Sequence, residues 1–180
     1  MSDRKHLILV GMMGTGKSTI GRQIAKQLHL PFVDMDEELE KMFQLTVAEY
    51  FERFGEQAFR DAETDLLKRL LHEPTKVIST GGGVVLRREN RQLMEKYGLI
   101  IGLSASPEVL YQRLKQDRSR PLLQGSLKKR LVQLNAERKK YYTCAELQID
   151  TGLYDMATII QQITDHWNKG LYGTSNSRSR

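Results

Sequence analysis

The sequence predicts an α/β fold built on a parallel sheet, and three observations predict it. Five short apolar runs of strand length alternate with longer stretches of helical period. A glycine-rich stretch sits between the first run and the first helical stretch. The chain has 180 residues, 39% hydrophobic and 28% charged, enough for one compact domain with a sizeable core.

Taken in order, the expected strands are Leu7–Val10, Pro31–Asp34, Lys76–Ser79, Leu99–Leu103 and Leu147–Asp150. After the first, Ile20, Ile24 and Leu28 repeat every four residues, the mark of one buried helix face. Thr46 has the character of an N-cap before Val47–Arg53, and Gly55 ends that turn. Phe59, Ala62, Leu66 and Leu70 form a second apolar stripe, with Asp61, Glu63, Asp65 and Lys68 mostly off it. Ser106-Pro107-Glu108 reads as a cap, a first-turn proline and an acid favoured by the helix dipole. Trp167 is expected to pack on the last helix. The segment from about 115 to 126 has no sustained apolar period and is expected to be a mobile loop over a site. Residues 1–169 form the expected single domain, and 170–180, rich in Gly, Ser, Asn and Arg, an expected disordered tail.

Composition narrows the function classes. No long uncharged apolar run is present, so no membrane span is expected. The single cysteine, Cys144, excludes an intramolecular disulfide and suits a reducing cytoplasm, the expected location. Four histidines show no metal-ligand spacing. The net charge is +6, and Arg113–Lys140 holds ten basic residues against Asp117 and Glu137, leaving the rest of the chain slightly acidic. Such a cluster can bind a polyanion or surround a triphosphate. No aromatic interleaving or nucleic-acid motif accompanies it, and the reading adopted is no nucleic-acid partner.

The glycine stretch, Gly11-Met12-Met13-Gly14-Thr15-Gly16-Lys17-Ser18-Thr19, matches the phosphate-loop pattern G-x-x-x-x-G-K-S/T in its required strand-to-helix context. Its glycines let backbone N–H groups of Gly14 to Thr19 turn toward phosphate oxygens, and the helix adds its positive end. Lys17 is placed to reach the β- and γ-phosphates of ATP, and the Ser18 hydroxyl to bind Mg²⁺. A GTPase should also carry a guanine-reading N/T-K-x-D sequence, which is absent. A kinase of small molecules is the class that remains.

On the acceptor side, Asp34 and Asp36 lie two apart at the end of the second strand. In extended backbone they face one cleft, and with that strand beside the first they lie near the phosphate loop. One can hold Mg²⁺ and the other can accept a hydrogen bond from the acceptor hydroxyl; an acidic first turn capping the next helix is the alternative. Gly81-Gly82-Gly83 after the third strand leaves backbone N–H groups open to close approach by a ligand; a plain flexible turn, which rarely needs three glycines, is the alternative. Arg60, at the edge of its helical stripe, either meets solvent or faces a pocket. Arg118, Arg120 and Arg138 are each open to the same two readings.

Together these residues resemble the shikimate kinases, from about Leu7 to Trp167. The matching pieces are the phosphate loop, Asp34-Met35-Asp36-Glu37-Glu38, and Gly55-Glu56-Gln57-Ala58-Phe59-Arg60-Asp61-Ala62-Glu63. The triple glycine, Arg120-Pro121-Leu122-Leu123, and Arg138 four residues before Tyr142 complete them. The resemblance implies a three-layer α/β/α sandwich of the P-loop type, with five parallel strands and a mobile lid. It implies transfer of the ATP γ-phosphate to the 3-hydroxyl of shikimate, with Asp34 and Ser18 organising Mg²⁺ and Asp36 binding the reacting hydroxyl. Arg60 and Arg138 would hold the shikimate carboxylate, and the Gly81–Gly83 backbone its hydroxyls. Arg120 would reach phosphate from the lid, and Arg113 would lie against adenine. Another P-loop kinase, such as one for gluconate, is the alternative; a monomer is expected.

Overall fold

The computed structural model describes residues 6–115 and 126–172. The chain alternates β1 (His6–Gly11), α1 (Lys17–Leu28), β2 (Phe32–Asp34), α2 (Met35–Phe43), α3 (Val47–Leu71) and β3 (Val77–Ser79). It continues through a 3-10 turn (Val84–Leu86), α4 (Arg88–Tyr97), β4 (Gly98–Ser104), α5 (Pro107–Leu114) and α6 (Leu127–Arg138). A 3-10 stretch (Lys139–Cys144), β5 (Leu147–Asp150) and α7 (Met156–Tyr172) end it. All strand pairings are parallel, in the order β2-β3-β1-β4-β5.

β1 alternates along its length, yet every residue is buried, as a central parallel strand requires. Leu7 and Leu9 join the layer under α1 and α7, which holds Ile20, Ile24, Ile163 and Trp167. Ile8 and Val10 point the other way, into the layer of α2, α3 and α4 with Leu39, Phe59, Leu66 and Met94. These two layers flanking one sheet make the three-layer sandwich. A third cluster seats Met12 and Met13 of the phosphate loop against Leu110 and Leu114 of α5 and Leu131 and Leu134 of α6.

Each expected strand is found within one residue of its expected ends. Thr46 caps α3 through a complete capping box with Glu49. Gly55, at φ 80°, breaks α3 into two arms. Ser106 Oγ accepts from Val109 N ahead of α5.

Two expectations need correction. β2 does not lie beside β1, because β3 occupies that place; the β1–α1–β2 connection crosses one strand position, which short-range sequence does not encode. The tail does not begin at Gly170, since α7 continues to Tyr172; a single terminal glycine costs a helix only about 1 kcal/mol. The rest of the tail, and the loop of residues 116–125 with Arg118 and Arg120, lie outside the described residues.

Candidate active site

The carboxyl ends of the strands, where parallel α/β sheets bind ligands, carry every element of the site. β1 turns into the phosphate loop at Gly11, where a Cβ would stand 2.2 Å from the Leu103 carbonyl oxygen. Gly14 and Gly16 take φ of 80° and 95°, a region L side chains avoid. Thr15 is buried behind the loop and donates to Met12 O at 2.7 Å. Lys17 opens α1 and donates to Gly11 O (2.8 Å) and Met12 O (2.9 Å), which lays its ammonium across the loop. Ser18 Oγ donates to Asp34 Oδ2 and stands 3.4 Å from Ser79 Oγ.

Asp34 does two things at once. Its Oδ1 caps α2 by accepting from Asp36 N (3.0 Å) and Glu37 N (3.3 Å), while Oδ2 meets Ser18. The capping alternative and the site reading are therefore both true of Asp34. Asp36 is not the second of two extended residues, as alternation along a strand assumes. It lies in the first turn of α2, and the strand-to-helix bend brings its carboxylate to the triple glycine.

The triple glycine is the floor on which the charged groups meet. A Cβ on Gly81 would stand 2.8 Å from both Asp36 Oδ1 and Glu63 Oε1; one on Gly83 would stand 2.3 Å from Arg60 Nη2. A Cβ on Gly82 would lie 3.5 Å from Arg138 Nη1. Arg60 Nη1 donates to Glu63 Oε2 at 2.6 Å, and its guanidinium lies 5.2 Å and 5.8 Å from the Phe59 and Phe51 ring centres. Glu63 is 1% exposed. Burial pushes its carboxyl above the usual range and Asp36 pushes the same way, against the pull of Arg60 and Arg138. Glu63 Oε1 is buried without a hydrogen-bond partner, and Arg60 Nε has none either, with Glu56 Oε1 3.6 Å away.

These groups line one cavity of about 710 Å³, within the range of small-molecule sites. Of the expected site residues, Gly14, Gly16, Lys17, Ser18, Thr19, Asp34, Asp36, Arg60, Gly81, Gly82, Gly83 and Arg138 all line it. Arg113 does not. It donates to Gly14 O (3.0 Å), Thr151 Oγ1 (2.9 Å) and Thr151 O (2.9 Å), and so clasps the phosphate loop to the turn after β5. Arg120 lies outside the described residues.

Among the lining groups that escaped the sequence reading are Glu63 and the aromatic walls Phe51 and Phe59. Glu63 had a signal. It stands four residues after Phe59 and three before Leu66, a carboxylate on the apolar stripe rather than off it.

The family model for shikimate kinase matches residues 13–168. The chain belongs to the shikimate kinase family. Shikimate kinase from Thermodesulfovibrio yellowstonii is 44% identical over 148 residues, 82% of this chain and 86% of that one. The shikimate kinase of Desulforudis audaxviator is 39% identical over 97% of this chain and 93% of its own. Among solved structures, shikimate kinase from Acinetobacter baumannii in complex with shikimate superposes with a TM-score of 0.87. It is 32% identical and covers 94% of this chain and 96% of that one. A gluconokinase from Sinorhizobium meliloti reaches only 0.56 at 19% identity and shares the fold alone. As a shikimate kinase, the chain is an ATP-dependent phosphotransferase.

Proposed function

We propose that this cavity holds ATP and shikimate side by side and transfers the γ-phosphate to the 3-hydroxyl, giving shikimate 3-phosphate and ADP. The supporting observation is convergence: Lys17 and Ser18 of the phosphate loop line the same cavity as Asp36, Arg60, Arg138 and the triple glycine. Arg60 and Arg138 supply planar guanidinium forks suited to a carboxylate, better than the point charge of lysine. Asp36 accepts the hydrogen bond of the reacting hydroxyl and aims it. Gly81–Gly83 present backbone to the other hydroxyls, and at Gly81 and Gly83 a Cβ would collide with the Asp36, Glu63 and Arg60 side chains. Lys17 leaves its loop carbonyls to neutralise the β- and γ-phosphates, and Arg120 adds its charge from the segment beyond α5. Arg113 holds the phosphate loop against the turn after β5, beside the place proposed for adenine.

The residues present fit Mg²⁺. Ser18 Oγ and Asp34 Oδ2 are hard oxygen donors in contact with each other beside Lys17. Among the described residues no three His, Cys, Asp or Glu side chains form a metal cage, and Mg²⁺ usually takes one or two protein oxygens plus phosphates and water. Held by Ser18 and Asp34, Mg²⁺ would neutralise negative charge that builds on the phosphates. Phosphoryl transfer asks for positioning and charge neutralisation more than covalent help, and these residues offer both.

The deciding experiment is ADP release with Mg²⁺·ATP, comparing shikimate, gluconate, nucleoside monophosphates and no acceptor. Release with shikimate alone is the expected result. Release with gluconate instead would retain the kinase and discard the substrate. The proposed location is the cytoplasm and the proposed state a monomer, which light scattering tests. Among the described residues no helix is long and apolar enough to cross a membrane.

A further inference from the structure

The triple glycine poses a mechanical problem. The Gly82–Gly83 peptide is flanked by glycines on both sides, so little steric resistance keeps its plane from turning over. The Gly81 carbonyl accepts from Val84 N (3.2 Å) and the Gly83 carbonyl from Leu86 N (3.0 Å), which fixes two of the three. The Gly82 carbonyl is taken instead by a side chain sixty residues away: Tyr142 Oη donates to it at 2.7 Å. The Arg138 guanidinium, one helical turn earlier, converges on the same glycine, with Nη1 3.5 Å from where a Gly82 Cβ would stand, and its charge acts on the phenol.

Tyr142 is itself firmly held. Its ring packs against both the α2–α4 layer and the third cluster. Its own carbonyl accepts from Ala145 N (3.1 Å) and Gln148 Nε2 (2.6 Å). The 3-10 stretch is thus a post, and the hydroxyl at its tip touches two parts of the acceptor pocket at once. A phenol oxygen can accept from Arg138 while its proton goes to Gly82 O, and the two bonds reinforce each other.

We propose that Tyr142 is a positioning residue of the acceptor pocket, locking the Gly82–Gly83 peptide plane and the Arg138 guanidinium in register with each other. With Gly82 O tied back to Tyr142, the Gly83 N–H of the same peptide must point to the opposite side. One hydroxyl therefore sets the direction of a backbone donor and of a cationic fork. Burial pushes the phenol up to about 12, so the proton it donates is retained throughout any assay range. The inference rests on the reading above that Arg138 and the glycines hold the acceptor.

The test is steady-state kinetics of Tyr142→Phe, which removes one oxygen and keeps the ring. The KM for shikimate should rise about tenfold, the scale of a lost hydrogen bond coupled to a charged group, while the KM for ATP stays within about twofold. In a double-mutant cycle with Arg138→Lys, the two effects should fall short of adding, since both act on one contact. Equal rises in both KM values, an unchanged shikimate KM, or full additivity would each overturn the proposal. A wild-type enzyme that does not turn over shikimate would instead overturn the reading beneath it. If Tyr142→Phe melts too low to assay, Tyr142→Leu, which also lacks the hydroxyl and keeps an apolar filler, carries the same comparison.

Discussion

Lys17 is the residue on which the chemistry depends most. Its ammonium rests on two loop carbonyls rather than in the core, so Lys17→Ala should leave the circular dichroism spectrum intact. Turnover should fall by roughly a thousandfold or more, in line with losing a transition-state charge partner. Arg138→Ala should raise the KM for shikimate more than that for ATP; an equal effect on both would remove the carboxylate role assigned to it. Gly83→Ala places a methyl 2.3 Å from Arg60 Nη2. Displacing Arg60 also loosens its bond to buried Glu63, so the melting temperature should fall by several degrees and the shikimate KM rise about tenfold. Tyr142 carries a pH signature of its own. Its pKa rises from 10.0 to about 12 in the fold, so its contribution is complete below pH 10 and is lost as pH climbs through 12. That contribution is at most about 2–3 kcal/mol, and about half of it should be lost between pH 9 and 11, read as the difference between wild type and Tyr142→Phe in urea midpoints. At this scale the sequence spoke unevenly. Asp34, Asp36 and Lys17 were legible because a motif names them, whereas Glu63 was hidden among neighbouring acids until its buried partner Arg60 appeared.

Elements were legible where local chemistry decides them. The Thr46–Glu49 box, the proline after Ser106 and the all-apolar core of β1 are short-range signals, and each produced the expected boundary. Removing one such signal has a bounded effect. Thr46→Ala should cost about 1 kcal/mol and lower the melting temperature by roughly 2–4 °C, since Thr46 Oγ1 and the Glu49 carboxylate close the helix end together. Strand neighbours were not legible. Phe32–Asp34 pairs with Val77–Ser79 across more than forty residues, and nothing within β2 distinguishes that partner from β1. The path of Asp36 was misread for the same reason: the point where β2 gives way to α2 is set by Asp34 capping the helix, a tertiary use of a residue that alternation alone treats as strand.

At the scale of the molecule, the two faces of the sheet, the phosphate loop and the acceptor floor form one cooperative body, so ligand binding should register as global stability. A site filled at one hundred times its Kd adds about 2.7 kcal/mol, and for a chain of this size Mg²⁺·ATP should raise the melting temperature by roughly 5–10 °C. Lys17→Ala should lose most of that rise, and retention of it would place the nucleotide elsewhere. The sheet itself has a further consequence. Both of its outer strands are short, β2 with three residues and β5 with four, against seven in β4. An outer rim about 10 Å long offers an approaching chain only one or two ladder bonds, too few to nucleate cross-chain pairing. Edges this short make the sheet a poor template for its own aggregation.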